Sequence, residues 1–188
     1  MIKPIKIFGN WSSGFVLDHH VERSEFLGYD ENGREKFETT RTELGELVYR
    51  IKYKGERQKT SELLDMIRDF LDKSGIKDMA DIIIPVPPTK RNRTYQPVFE
   101  IASTIGKYLE KPVEIDILEK RADLQAKDGY TDIEGSIVKN KDFENPINVL
   151  VVDDLYNTGN TLNDVANALK TDKHVKNIYV LVMTKTKG

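Results

Sequence analysis

Leu44, Leu47, Val48 and Ile51 recur at the i, i+3, i+4, i+7 spacing of one helix face, and Leu63, Leu64, Ile67, Phe70 and Leu71 repeat it closely. The pattern predicts two amphipathic helices separated around Gly55. An unbroken apolar run, Ile82-Ile83-Ile84-Pro85-Val86, follows. Next come a third helical face built from Val98, Ile101, Ala102, Ile105 and Leu109, and a short strand near Val113-Glu114-Ile115. The same alternation returns with Val149-Leu150-Val151-Val152, a helix bearing Leu162, Val165, Ala166 and Leu169, and the run Ile178-Tyr179-Val180-Leu181-Val182. Strands that are apolar at every position, rather than at alternate ones, are buried on both faces. Joined by helices, they predict an α/β fold with a mostly parallel, doubly wound sheet.

The opening third has a different texture. Phe15-Val16-Leu17, Phe26-Leu27-Gly28-Tyr29 and Lys36-Phe37-Glu38-Thr39-Thr40 are short strand candidates, and Glu31-Asn32-Gly33 between the last two is a hairpin signal of type I′. We therefore expect residues 1–42 to form a small β-rich hood and residues 43–188 the α/β core. A polar stretch between about residues 119 and 145 has no sustained period. Long connections of that kind in compact domains are usually functional.

Composition narrows the classes. The 188 residues carry 29 Lys and Arg against 31 Asp and Glu, a net charge of −2, so there is no global field for a polyanion and stable nucleic-acid binding is not expected. With no cysteine, disulfides, thiolate metal sites and cysteine nucleophiles are excluded, a Cys-dependent glutaminase among them. The first residues lack the apolar stretch of a secretion signal and no run reaches membrane-spanning length, so a cytoplasmic protein without membrane association is expected.

The richest chemistry lies at residues 149–162, where the buried run ends in Asp153-Asp154 and a small polar turn, Asn157-Thr158-Gly159-Asn160-Thr161, opens a helix four residues later. In an open parallel sheet, ligands bind beyond the carboxyl ends of the strands, where these two acids fall. The turn can wrap N–H groups round a phosphate, with the positive end of the helix behind it, hydroxyls from Thr158 and Thr161, and close backbone approach at Gly159. Acids repel phosphate but accept hydrogen bonds from a sugar diol. Acids followed by a phosphate turn therefore suit a ribose 5-phosphate. The same string also fits a plain strand end with a helix cap, a nucleotide-hydrolase acid strand, or a phosphoacceptor receiver domain. The second lacks the glycine-lysine phosphate loop, and the third would carry its acids much earlier in the chain. At the end of another strand, Pro87 and Pro88 stiffen an exit followed by Lys90, Arg91 and Arg93, cations suited to an anionic group.

Four apolar residues, two acids and Thr-Gly-x-Thr resemble the binding motif of the type I phosphoribosyltransferases. The resemblance implies that Asp153 and Asp154 hold the ribose hydroxyls of phosphoribosyl pyrophosphate (PRPP) and residues 157–161 its 5-phosphate. The likeness is greatest to the ComF-like, predicted amidophosphoribosyltransferase branch. It rests there on Pro85-Val86-Pro87, Arg93-Thr94-Tyr95-Gln96-Pro97, Ile101-Ala102, Lys52-Tyr53-Lys54-Gly55, and Arg121 with Gln125. Thr94, Gln96 and Pro97 depart from that branch's Gly, Asn and Gln, and its four-cysteine zinc module is absent. Asn157 stands where purine-salvage relatives carry an acid, and an amide takes up no proton near neutral pH, so a salvage enzyme is disfavoured.

The resulting expectation is displacement of pyrophosphate from ribose C1 by a nitrogen nucleophile. Mg²⁺ is bound mainly through PRPP and water, near Asp153 and Asp154 without direct protein ligation. Tyr156 adjoins the motif as a stacking candidate, Lys127 and Asp128-Gly129-Tyr130 lie in a loop able to close over the ligand, and the three histidines are read as structural. The alternative is a PRPP or nucleotide sensor without turnover, or a ComF-like accessory to DNA uptake. A homodimer is compatible with either.

Overall fold

The structure, a computed structural model, describes residues 2–88, 95–121 and 136–186. In chain order the elements are β1 (Ile5–Ile7), β2 (Ser13–His19), β3 (Val21–Tyr29), β4 (Glu35–Arg41) and α1 (Glu43–Tyr49), which runs into a π-helical turn, Arg50–Lys54. Then follow α2 (Lys59–Lys73), α3 (Ile76–Met79), β5 (Ile82–Pro85), α4 (Pro97–Leu109), β6 (Leu118–Lys120) and β7 (Ile137–Lys139). The last elements are β8 (Ile147–Tyr156), α5 (Asn160–Lys170) and β9 (Val175–Lys185).

Five strands form the central sheet in the order β1-β2-β9-β8-β5, with β2, β9, β8 and β5 parallel and β1 antiparallel at one edge. The unbroken apolar runs serve both faces. Val149 and Val151 of β8 pack with Leu162, Val165, Ala166 and Leu169 of α5. Leu150 and Val152 point the other way, into a cluster with residues of α1, α2 and α4 such as Leu44, Ile67 and Ile101. Each such side chain contributes about 1.5–3 kcal/mol on burial. The fold is thus α/β, mostly parallel, with helices on both faces, as the hydrophobic pattern predicts. Among the described residues no helix is long and apolar enough to cross a membrane.

Residues 1–42 divide differently from the expected hood. Phe15-Val16-Leu17 lies in β2, which pairs in parallel with β9, Val16 opposite Val182, and belongs to the central sheet. Only β3 and β4 stand apart, as a two-stranded antiparallel ribbon. The ribbon leaves the carboxyl end of β2 and returns at Thr42. The hydroxyl of Thr42 accepts the Gly45 N–H at 2.9 Å and donates to the His19 carbonyl at 2.6 Å, so one side chain caps α1 and fixes it to the end of β2.

The hairpin turn is also not type I′. Only Gly33 has positive φ (72°); its N–H reaches the Asp30 carbonyl at 3.0 Å, while Asp30 Oδ1 accepts from the N–H groups of Asn32 and Arg34. The side chain of Asp30 organises a turn that needs left-handed backbone at one residue instead of two. The expected strand at 113–115 is reduced to a single bridge from Val113 to Ile83. The polar stretch of residues 119–145 contains β7, which pairs antiparallel with β6. The base of this second ribbon is tied down by Asp172, whose carboxylate accepts from the N–H groups of Phe143 and His174 and from Lys139 Nζ.

Candidate active site

From β5 the chain crosses to α4 on one face of the sheet, and from the neighbouring β8 it crosses to α5 on the other. The carboxyl ends of these two strands are thus a switch point, the place at which ligands bind in open α/β sheets. A cleft of about 310 Å³ occupies this place, and its walls include Asp153, Asp154, Thr161, Pro87, Pro88 and Lys52. A second cleft of about 550 Å³ adjoins it, sharing Pro87, Pro88, Gln96 and Lys120.

Alternation along β8 turns successive acids to opposite faces of the sheet edge. Asp153 continues the Val149-Val151 side toward α5, and Asp154 the Leu150-Val152 side toward the π-helical turn. Asp153 Oδ1 accepts the Asp154 N–H at 2.8 Å. Burial, then the charge of Asp154, push the Asp153 carboxyl up to about 7. Asp154 is buried and its Oδ1 accepts from Lys52 Nζ at 2.7 Å. Burial works against the Lys52 ammonium, but Asp154 outweighs it and holds that ammonium above its ordinary range. Thr184 donates its hydroxyl proton to the Asp154 carbonyl at 3.2 Å, so His20 Nδ1, 3.1 Å from Thr184 Oγ1, must be the N–H donor to that hydroxyl oxygen. Burial, then Arg41 and Lys52, lower the pKa of His20 and so favour the neutral ring.

Beyond β8 the chain turns through residues 157–159 into α5. Gly159 has φ 88°, and a Cβ there would stand 2.7 Å from Tyr156 Oη. The position demands glycine for its backbone and for its space. Among the described residues no side-chain oxygen caps α5, so the positive end of the helix keeps amides for a ligand. Thr158 Oγ1 receives only a long contact, 3.5 Å, from the Asn160 N–H. Asn157 Oδ1 accepts the Thr186 hydroxyl at 2.9 Å, which ties the turn to the end of β9.

The structure therefore brings Asp153, Asp154, Thr161, Pro87 and Pro88 to one cleft, with Asn157, Thr158, Gly159 and Asn160 in the adjoining turn and Tyr156 packed against Gly159. Lys90, Arg91 and Arg93 lie outside the described residues, as do Gln125, Lys127, Asp128, Gly129 and Tyr130. Lys52 is a cleft residue to which the sequence gives no role. Its only signal is the Lys-Tyr-x-Gly string, and its partner lies 102 positions away. Among the described residues no group of three or more acids or histidines converges on one point. Two hard carboxylates at the cleft fit an ion that takes one or two protein oxygens and completes its shell from phosphate and water, the habit of Mg²⁺.

No protein-family model matches the chain, and no curated protein matches it. Among solved structures it is similar to Leishmania donovani UMP synthase, with 15% identity and a TM-score of 0.42 over 86% of this chain. The chain spans 28% of the length of that protein. It is also similar to an adenine phosphoribosyltransferase, with 16% identity, 85% of each chain covered and a TM-score of 0.46. A third likeness is to the adenine phosphoribosyltransferase of Leishmania tarentolae, with 13% identity, 98% of this chain and 82% of that one covered, and a TM-score of 0.47. At this level of identity and superposition, the chemistry of the site rests on its own geometry. That geometry sets two carboxylates beside the turn into α5, at the carboxyl edge of a parallel sheet.

Proposed function

We propose that the chain is a Mg²⁺-dependent phosphoribosyltransferase that displaces pyrophosphate from C1 of PRPP with a nitrogen nucleophile. The observation that carries the reading is the acid pair at the end of β8, facing the switch-point cleft and followed by the uncapped turn into α5. Asp153 and Asp154 accept hydrogen bonds from the ribose hydroxyls and offset the positive charge that develops on the ring as the C1–O bond weakens. Residues 157–161 receive the 5-phosphate at the positive end of α5. Lys90, Arg91 and Arg93 take the leaving pyrophosphate, on the strength of their position after β5 in the sequence. Mg²⁺, when bound, neutralises charge on the diphosphate; the residues beside it are Asp153 and Asp154. Catalysis is then positioning and electrostatics, with no covalent intermediate on the protein.

The acceptor we assign is free ammonia or an amine rather than a purine base. Asn157 cannot exchange a proton with a ring nitrogen, and its carbonyl oxygen already accepts from Thr186. A kinship with the ComF-like branch is part of the same proposal and rests on the Pro-Val-Pro, Arg-Thr-Tyr-Gln and Lys-Tyr-x-Gly strings.

Pyrophosphate release from PRPP, measured with Mg²⁺ across ammonia, amines and free bases, tests the reading. Turnover is expected with a nitrogen acceptor, and Asp154→Asn should weaken PRPP affinity at least about tenfold with the fold retained by circular dichroism. Saturable PRPP binding without release for any acceptor would make the chain a sensor. Unchanged affinity in Asp154→Asn would remove the ribose assignment.

A further inference from the structure

Asp154 has one of its two carboxylate oxygens already engaged. Its Oδ1 is held at 2.7 Å by Lys52, in an ion pair with 23% and 10% of the two side chains exposed. A charge-assisted bond of this kind is roughly twice as strong as one from a neutral hydroxyl, so a diol alone is a poor competitor for that oxygen. Lys52 is also built into its place. It belongs to the π-helical turn that follows α1, and such turns, one residue wider than an α-helical turn, recur at functional sites. Gly55 closes the turn in left-handed backbone, with its N–H on the Arg50 carbonyl. Tyr95 Oη donates to the carbonyl of Ile51 and so pins the residue before Lys52 to the start of α4. Arg57 covers the Tyr95 ring at 4.4 Å. The ammonium lies in the wall of the same cleft as Asp153, Asp154 and Pro87.

A mostly buried cation that gives up its carboxylate must find another anion, because an unpaired charge in that position is costly. We infer that Lys52 is a specificity-determining residue which passes from Asp154 Oδ1 to the diphosphate of the ligand, so that both oxygens of the carboxylate open to the ribose only with a ligand that brings its own anion to C1. The inference rests on the PRPP reading above and extends it. The site distinguishes PRPP from ribose 5-phosphate, which has the same hydroxyls and the same monoester but nothing to receive the ammonium. Unpaired Lys52 is thus the cost of binding the wrong sugar phosphate.

The test is a calorimetric comparison of PRPP and ribose 5-phosphate, each with Mg²⁺, in the parent protein, Lys52→Met, Lys52→Arg, Asp154→Asn and the double variant. The parent is expected to prefer PRPP, and Lys52→Met to lose about tenfold or more in PRPP affinity while binding ribose 5-phosphate as well as the parent or better. Lys52→Arg should retain most of the preference. The double variant, which removes both charges together, guards against failure of Lys52→Met to fold. Going from Asp154→Asn to the double variant should weaken PRPP again by about tenfold and leave ribose 5-phosphate unchanged if Lys52 touches the diphosphate. Equal loss for both ligands in Lys52→Met, or no additional PRPP loss in the double variant, would mean that Lys52 acts only through Asp154 and would overturn the inference. A parent protein that binds neither ligand would overturn the PRPP reading itself, and this inference with it.

Discussion

Burial and the adjacent charge of Asp154 raise the Asp153 carboxyl from 3.8 to about 7, and this one residue gives the site a pH dependence of determinate sign. The ionised carboxylate is the stronger acceptor for a hydroxyl, so PRPP affinity is expected to rise between pH 6 and pH 8 by more than the ligand's own phosphate titration accounts for. Asp153→Asn should retain only the ligand's part of that profile. Stability runs the opposite way. For an acid raised on folding, the contribution is fully present below the unfolded value of 3.8 and is lost as pH rises through about 7. Asp153→Asn should therefore be more stable than the parent at pH 8, by a margin that narrows toward pH 4 in urea unfolding curves. A margin independent of pH would contradict the burial of this charge. Asp153 and Asp154 were legible in the sequence because an apolar run ending in acids marks a strand end. Their environment was not. It depends on Lys52, His20 and Thr184, which belong to three other segments of the chain.

In the proposed function, phosphate binding depends on the joint between β8 and α5. It was legible because Asn157-Thr158-Gly159-Asn160-Thr161 is local chemistry, needing no distant partner to declare itself. Gly159→Ala would force a Cβ onto left-handed backbone and against Tyr156 Oη at 2.7 Å. A cost of about 1–3 kcal/mol in stability is expected, together with loss of affinity for both PRPP and ribose 5-phosphate. Thermal unfolding and calorimetry on the one variant read both effects. A variant with lowered stability but unaltered affinity would detach the turn from the ligand. Elements whose pairing is remote leave less of a mark in the sequence. β2 has the short apolar run of a hairpin strand, and nothing near it signals that its partner is β9, at the other end of the chain. Likewise β6 and β7 are three residues each, and their pairing across residues 121–136 leaves no periodic trace.

At the scale of the molecule, the topology turns these local features into a site. The strand order β1-β2-β9-β8-β5 sets the ends of β8 and β5 side by side, while α4 and α5 depart to opposite faces. The α1 helix and its π-helical turn, packed on the α4 side, then bring Lys52 to the acid pair. The alternating strands and helices predicted this layered architecture, since apolar runs without a polar face have no other stable home than a sheet covered on both sides. The β3–β4 ribbon springs from the same carboxyl edge of the sheet as the cleft. The central claim, that this crevice is a PRPP site, is tested most directly by a crystal structure of the protein with PRPP and Mg²⁺. The account predicts the ribose 2- and 3-hydroxyls within hydrogen-bond distance of Asp153 and Asp154, and the monoester against the amides of residues 157–161. PRPP bound elsewhere, with the end of β8 empty, would contradict it.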